Sequence, residues 1–268
     1  MSSIGAILLV NLAVVTAAMV PLWLISMAKE DVSIVDIFWG LGFVLVAWMS
    51  FVLAGESGAR GVLIAVLTTV WGVRLAGYLA WRNLGKGEDY RYQAMRKRIG
   101  PGFRWVSLYY VFGLQALLIW IVSLPIQVGQ IGDGEHNITV MQGAGVALWL
   151  IGMFFETVGD LQLARFKAAA DSAGKIMDRG LWRYTRHPNY FGDFMVWWGL
   201  FFVAMASPAE LLKNGWTAVG PVIMSILLVR ISGAALLEKS LRRRRPGYDD
   251  YIRRTSAFFP WPPKSPKP

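Results

Sequence analysis

The densest run of side chains able to do chemistry is GLWRYTRHPNYFGDF, residues 180–194. Arg183, Arg186 and His187 are donors suited to phosphate oxygens. Tyr184 and Tyr190 offer flat faces on which a ring can stack, and Asn189 and Asp193 can fix hydroxyls or an amide. Pro188 favours an extended approach to the helix that follows, and the N-terminus of that helix attracts an anion. The same arginines would suit a juxtamembrane loop lying on lipid headgroups, a reading that leaves Asn189, Tyr190 and Asp193 without a purpose. Further on, LEKSLRRRRPGYDDYIRRTSAFFPW carries Arg242 to Arg245, which suit an electrostatic anchor equally well. Tyr248, Tyr251 and Arg254, with Phe258 and Phe259, look like a segment folding back over a pocket.

Charged residues also recur at helical spacing inside apolar runs. Arg74, Tyr78 and Arg82 stand at i, i+4 and i+8 and form one polar stripe. Glu156 and Asp160 are four apart and lead to Lys167, while Arg230, Ala234 and Glu238 form a third stripe that continues to Arg242. Asp36 sits in SIVDIFWG with Trp39 and Gly40 on its face. Ionisable groups in membrane helices are costly and mark a functional site or a buried partner. Near helix ends the alternative is snorkelling, and for Asp36 it is a buried pair with Arg74 or Arg230. Three charged faces turned to one end predict a mixed-charge cavity there.

Several patterns are missing. There is no G-x-G-x-x-G after a strand, no Walker A sequence and no H-E-x-x-H. With no cysteine and histidines only at 136 and 187, no metal site is expected.

The elements that must position these groups are apolar helices. The chain of 268 residues is 55% hydrophobic and 16% charged, with mean hydropathy +0.45 and a pI near 10.0. A soluble domain carries about 25% charged residues. The basic residues lie in blocks between apolar runs, which points to membrane topology and away from nucleic acid. Seven segments reach the length needed to cross a bilayer, at about 4–28, 32–54, 61–81, 105–126, 139–162, 190–207 and 215–238. The first lacks the basic start and short core of a cleaved signal and reads as a retained helix. The connections alternate in charge, with 23 of the 27 Lys and Arg on one side. The positive-inside rule then puts the N-terminus and QVGQIGDGEHN outside and the C-terminus in the cytoplasm. The expectation is an all-α, polytopic, seven-helix membrane protein, a single domain over 1–268, with a disordered Pro/Lys tail within 258–268.

On these motifs the chain resembles the steroid 5α-reductase family in its bacterial branch. The motifs are SIVDIFWG at 33–40, R-x-x-x-Y-x-x-x-R at 74–82, GKGEDYRYQAMR at 85–96, GDLQLARFK at 159–167, GLWRYTRHPNYFGD at 180–193 and E-x(9)-Y-x-x-Y at 238–251. Sterol C14-reductases carry a near-identical RHPNYFGD, and isoprenylcysteine carboxyl methyltransferases a related R-H-P-x-Y-x-G. The resemblance implies a seven-helix fold, NADPH as cofactor and reduction of an activated C=C bond in a lipophilic, steroid-like substrate. It implies cofactor contacts at Arg74 and Tyr78 and matches family positions at Asp160, Lys167, Asn189, Asp193 and Arg230. To these the reading of the residues themselves adds Arg82, Tyr184, Arg186, His187, Tyr190, Glu238, Tyr251 and Arg254 as expected cofactor contacts. Asp36 falls where eukaryotic members have the glutamate that meets the steroid ketone, and Trp71 where they have its partner tyrosine.

Reducing an enone needs a hydride at the β-carbon and an acid at the carbonyl oxygen. Asp36, kept protonated by desolvation, is the expected catalytic acid, with Trp39 and Trp71 against the substrate. NADPH is expected from the cytoplasm and the substrate from the bilayer, in a bacterial inner membrane. The alternatives are a methyltransferase using S-adenosylmethionine in the same cavity and a sterol- or lipid-binding protein without catalysis.

Overall fold

The computed structural model describes residues 3–55, 58–131, 138–172, 174–231, 238, 241–242 and 245–264. The expected outer-loop residues 132–137, including His136, lie outside the described residues. So do Ala234 of the third stripe, Arg243 and Arg244 of the basic run, and the last four residues of the Pro/Lys tail.

The chain is an all-helical polytopic membrane protein. Six helical stretches among the described residues are long and apolar enough to cross a bilayer: Ile4–Lys29, Ile34–Ala54, Gly58–Asn83, Tyr90–Val122, Val140–Ala168 and Pro208–Arg230. The expected segment at 190–207 is also a helix, Pro188–Met205. Its 18 residues span about 27 Å, but Pro188, Asn189 and Asp193 make its first turns polar. Hydropathy marks where a chain crosses a membrane, and helices run past that limit. The segment expected at 139–162 continues to Ala168. The loop expected at 82–104 contains the polar helix Tyr90–Ile99. The segment expected to reach 126 instead ends its helix at Val122, because the proline at 125 cannot continue the backbone hydrogen bonds. A short buried helix, Leu124–Val128, follows.

The described chain forms two compact units. The first comprises Met1–Gln142 and Val203–Gly220. It holds α1 (Ile4–Lys29), α2 (Ile34–Ala54), α3 (Gly58–Asn83) and α4 (Tyr90–Ile99). α2 and α3 touch through glycine: a Cβ on Gly40 would lie 2.5 Å from the Gly72 carbonyl oxygen. This close approach carries Asp36 one turn before Gly40 and Arg74 half a turn after Gly72. At the other end of α3, Arg60 is buried, paired with Glu210, and donates to the Ile131 carbonyl at 3.4 Å. One of the few cations expected on the sparse side is thereby neutralised.

The second unit comprises Gly143–Phe202 and Pro221–Pro268, with most of α5 (Val140–Ala168), α6 (Pro188–Met205) and α7 (Tyr248–Arg254). α5 and α6 meet along glycines seven residues apart. A Cβ on Gly152 would lie 2.6 Å from the Gly192 carbonyl oxygen, and one on Gly199 2.7 Å from that of Gly145. At a third crossing, a Cβ on Gly159 would lie 3.2 Å from both the Asn189 backbone nitrogen and the Pro188 ring. After α7 the chain does not trail off. Phe258 is buried, Trp261 donates its backbone N–H to the Tyr184 carbonyl at 3.0 Å, and Lys264 donates its own to Arg254 at 2.9 Å. The expected tail therefore folds back through Lys264.

Candidate functional site

In the first unit, Asp36 is held by α4. Arg91 donates to it at 2.6 Å and the Tyr92 hydroxyl at 2.8 Å. A pair with Arg74 or Arg230 was the alternative reading for Asp36; within this unit the cation on it is Arg91, a residue read from sequence only as part of a basic loop. The local sequence explains its reach. Asp89 caps α4, accepting the Arg91 backbone N–H and its Nε, both at 2.9 Å, and the Ser33 hydroxyl accepts the Asp89 N–H at 2.7 Å. The side chain of Arg91 thus lies between Asp89 and Asp36. Beside this cluster, a cavity of about 430 Å³ is lined by Ser33, Ile34, Ile37, Leu84 and Glu88 among others.

Asp36 accepts in both contacts, which is the behaviour of a carboxylate. Two effects compete at Asp36: burial favours the neutral acid expected from sequence, and the guanidinium at 2.6 Å favours the charged form. Trp71 is fully buried, its ring packed edge-on to Phe43 at 5.7 Å, and Phe43 meets Trp39 at 5.1 Å. The two tryptophans are ends of one aromatic chain, of which the half-buried Trp39 is the more accessible. The stripe on α3 is formed as expected: the guanidinium of Arg74 lies 5.5 Å and that of Arg82 5.7 Å from the Tyr78 ring centre.

The second unit gathers most of the remaining candidates. Gly159 at the α5–α6 crossing sets Asp160 beside Asn189, whose amide donates to it at 3.1 Å. Asp160 is buried, as is Glu156 one turn earlier, and Asp193 follows Asn189 on the same face of α6. His187 stacks on Tyr190 with ring centres 5.5 Å apart and an angle of 7°. Its Nε2 lies 3.0 Å from Glu238. Tyr184, Lys167 and Arg230 are exposed.

Arg186 departs from expectation. Its Nε and Nη2 donate to the Glu238 carboxylate at 2.7 and 3.2 Å. Its Nη1 donates to the carbonyls of Thr255 and Ile252 at 2.6 and 3.2 Å. At 8% exposure this guanidinium ties α7 to the loop before α6, where a phosphate contact was expected. Tyr251 departs likewise: it is buried and its hydroxyl donates to the Trp182 carbonyl. Burial pushes its phenol well above the ordinary value, and burial followed by the charge of Glu238 pushes Tyr248 up to about 12. The strap is completed by the Thr185 hydroxyl on the Phe258 carbonyl at 2.8 Å and by Arg186 N–H on Ser256 at 3.0 Å. Arg254 pairs with Asp178 at 2.7 Å.

Comparison with known proteins agrees with the resemblance. The chain is 26% identical to an uncharacterized protein of Schizosaccharomyces pombe, over 89% of this chain and 75% of that one. It is 32% identical over 91 residues to 3-oxo-5-alpha-steroid 4-dehydrogenase 1 of Homo sapiens, a match covering 34% of this chain and 31% of the human protein. The Macaca fascicularis enzyme of the same name matches at the same identity, over 30% of its length. No solved structure matches. The family model described as "Protein of unknown function (DUF1295)" matches residues 22–255, and with this steroid 5α-reductase-like likeness the chain belongs to the DUF1295 family.

Proposed function

We propose that the protein is a membrane reductase that uses NADPH to saturate an activated C=C bond of a lipophilic, steroid-like substrate. The observation that carries this reading is the 32% identity with human 3-oxo-5-alpha-steroid 4-dehydrogenase 1. The residues of the second unit fit the cofactor. Asn189 and Asp160, joined at 3.1 Å, form a donor–acceptor pair of the kind an amide or ribose hydroxyl requires, and the exposed Tyr184 ring offers a stacking face. With the basic loops in the cytoplasm of a bacterial cell, the cofactor side faces the cytoplasm and the substrate comes from membrane lipid.

When bound, NADPH supplies a hydride for the β-carbon of an enone. Negative charge then grows on the carbonyl oxygen, and a donor aimed there lowers the barrier. Asp36 is suited to holding that donor. Its carboxylate holds Arg91 and accepts the single phenol proton of Tyr92; Tyr92 is the candidate acid once that hydroxyl turns from Asp36 to the substrate oxygen. In the second unit Asn189 orients and Glu238 fixes the His187–Tyr190 stack.

The test is thermal stabilisation of the detergent-purified protein by NADPH, NADH and S-adenosylmethionine, with turnover of a 3-oxo-Δ4-steroid followed by NADPH absorbance. NADPH is expected to stabilise most, and Asn189→Ala to weaken it roughly tenfold, the worth of about one hydrogen bond. Stabilisation by S-adenosylmethionine alone would replace the reductase with a methyltransferase. Tight binding of a steroid with neither cofactor would leave a lipid-binding protein.

A further inference from the structure

Away from the Glu238 cluster, the second unit has a cavity of about 530 Å³ lined by Asp178, Arg179, Gly180, Arg183, Arg254 and Lys264, among others. Four cations surround it against one carboxylate. That carboxylate is committed to Arg254 at 2.7 Å, and Asp250 approaches the same guanidinium at 3.4 Å. Arg179, Arg183 and Lys264 have no carboxylate partner among the described residues.

The walls are fixed on both sides. Gly180 turns the chain at φ +59°, a left-handed conformation that favours glycine. The Gln162 side chain then accepts the Leu181 N–H at 2.9 Å, and the Trp182 indole donates to the Gly159 carbonyl at 3.0 Å. Opposite, the Lys264 N–H on Arg254 and the Trp261 N–H on Tyr184 hold the returning chain. Three uncompensated cations held around one concavity repel one another, and an anion relieves that repulsion. Planar guanidinium forks match a tetrahedral, multiply charged anion, which accepts from several of them at once.

We propose that this cavity is a phosphate-binding site, in which Arg179, Arg183 and Lys264 clasp a phosphate-bearing group and Arg254, braced by Asp178, forms its floor. The group comes either from a soluble phosphate compound or from an anionic lipid headgroup, and the chemistry of recognition is shared. The inference does not rest on the reductase reading, because it is tested without NADPH.

The experiment compares the full chain with Arg179→Gln/Arg183→Gln and with Lys264→Gln. All three side chains are exposed, so the variants are expected to fold. Lys97→Gln, an exposed cation of the other unit, is the control. Pyrophosphate is titrated by thermal stabilisation in neutral detergent, and phosphatidylglycerol retained from mixed phosphatidylglycerol/phosphatidylcholine nanodiscs is counted by native mass spectrometry. Loss of pyrophosphate affinity by roughly tenfold or more in the double variant, with the control unchanged, is the expected result and marks a soluble source. Unaltered pyrophosphate response with fewer retained phosphatidylglycerols supports the site with a lipid source. If neither measurement separates the variants from wild type and control, the proposal is overturned, whatever NADPH does.

Discussion

The two units each organise their charged side chains around a shared group, in opposite senses. In the first, one cation lies between two carboxylates, Arg91 between Asp36 and Asp89 at 2.6 and 2.9 Å. In the second, one carboxylate lies between a guanidinium and an imidazole, Glu238 between Arg186 and His187 at 2.7 and 3.0 Å. Solvent separates their roles. Arg91 is 38% exposed and Arg186 8%. A buried guanidinium that also satisfies two backbone carbonyls is part of the fold, and removing it leaves several groups desolvated and unpaired. A guanidinium at the edge of solvent can shift between its partners as charge changes nearby. The same residue types therefore read as a staple in one unit and as an adjustable support in the other.

The largest effect that could break this contrast is expected from Arg186→Ala. Removing one partner of a buried pair costs about 3–5 kcal/mol, so the melting temperature in detergent should fall sharply, with α7 and the returning strap exposed to protease. Arg186→Lys should recover only part of the loss, because an ammonium cannot serve a carboxylate and two carbonyls in one plane. An unchanged melting temperature with lost NADPH affinity would return Arg186 to the phosphate role read from its sequence neighbourhood.

The next effect is on turnover. Tyr92→Phe keeps the ring and the Asp36–Arg91 pair and removes only the hydroxyl. Turnover of an enone should fall by roughly 10²–10³, the usual cost of one oxyanion donor, with melting temperature and NADPH affinity nearly unchanged. Asp36→Asn should fall by less, since the amide oxygen can still accept the phenol. Normal turnover in Tyr92→Phe would make the first cluster a second staple and erase the distinction between the units.

How much of this was legible follows from the range of each interaction. Apolar runs mark the membrane helices because desolvation acts residue by residue, and an aspartate inside one of them stands out by type. Its partner does not, since Arg91 lies 55 positions along the chain, on a polar helix that hydropathy reads as a loop. Arg186 looks like a phosphate ligand because His187 and Asn189 flank it. Its burial is decided by Ile252 and Thr255, 66 and 69 positions away. The α5–α6 crossing left a signal that hydropathy passes over: Gly145, Gly152 and Gly159 recur at an interval of seven, as do Gly192 and Gly199, a spacing that keeps small residues on one helix face, and Gly152 meets Gly192 while Gly145 meets Gly199. That interval is the signal that places Asp160 against Asn189. The returning strap was foreshadowed by Phe258 and Phe259, while the Pro/Lys run that follows reads as disorder although the chain is anchored as far as Lys264 by the Trp261 and Lys264 N–H groups.

The smallest effect sharpens the comparison from inside the first unit. Asp89 competes with Asp36 for Arg91 and also caps α4. Burial raises its carboxyl, but the hydrogen bonds and charge of Arg91 outweigh burial and hold it below the ordinary aspartate range. A carboxyl whose folded pKa is depressed adds stability that is complete above its unfolded value, about 3.9, and lost as pH falls through the folded value. Asp89→Asn keeps a capping oxygen but gives up the charge. At neutral pH it should cost about 1 kcal/mol or less, and the gap from wild type should close as pH drops below about 4. Released from Asp89, Arg91 would belong to Asp36 alone. If it is an adjustable support, turnover by Asp89→Asn changes by a few fold while the melting temperature barely moves. A gap that persists unchanged at low pH would mean that the charge of Asp89 adds nothing, and that Arg91 is held by Asp36 as rigidly as Arg186 is held by Glu238.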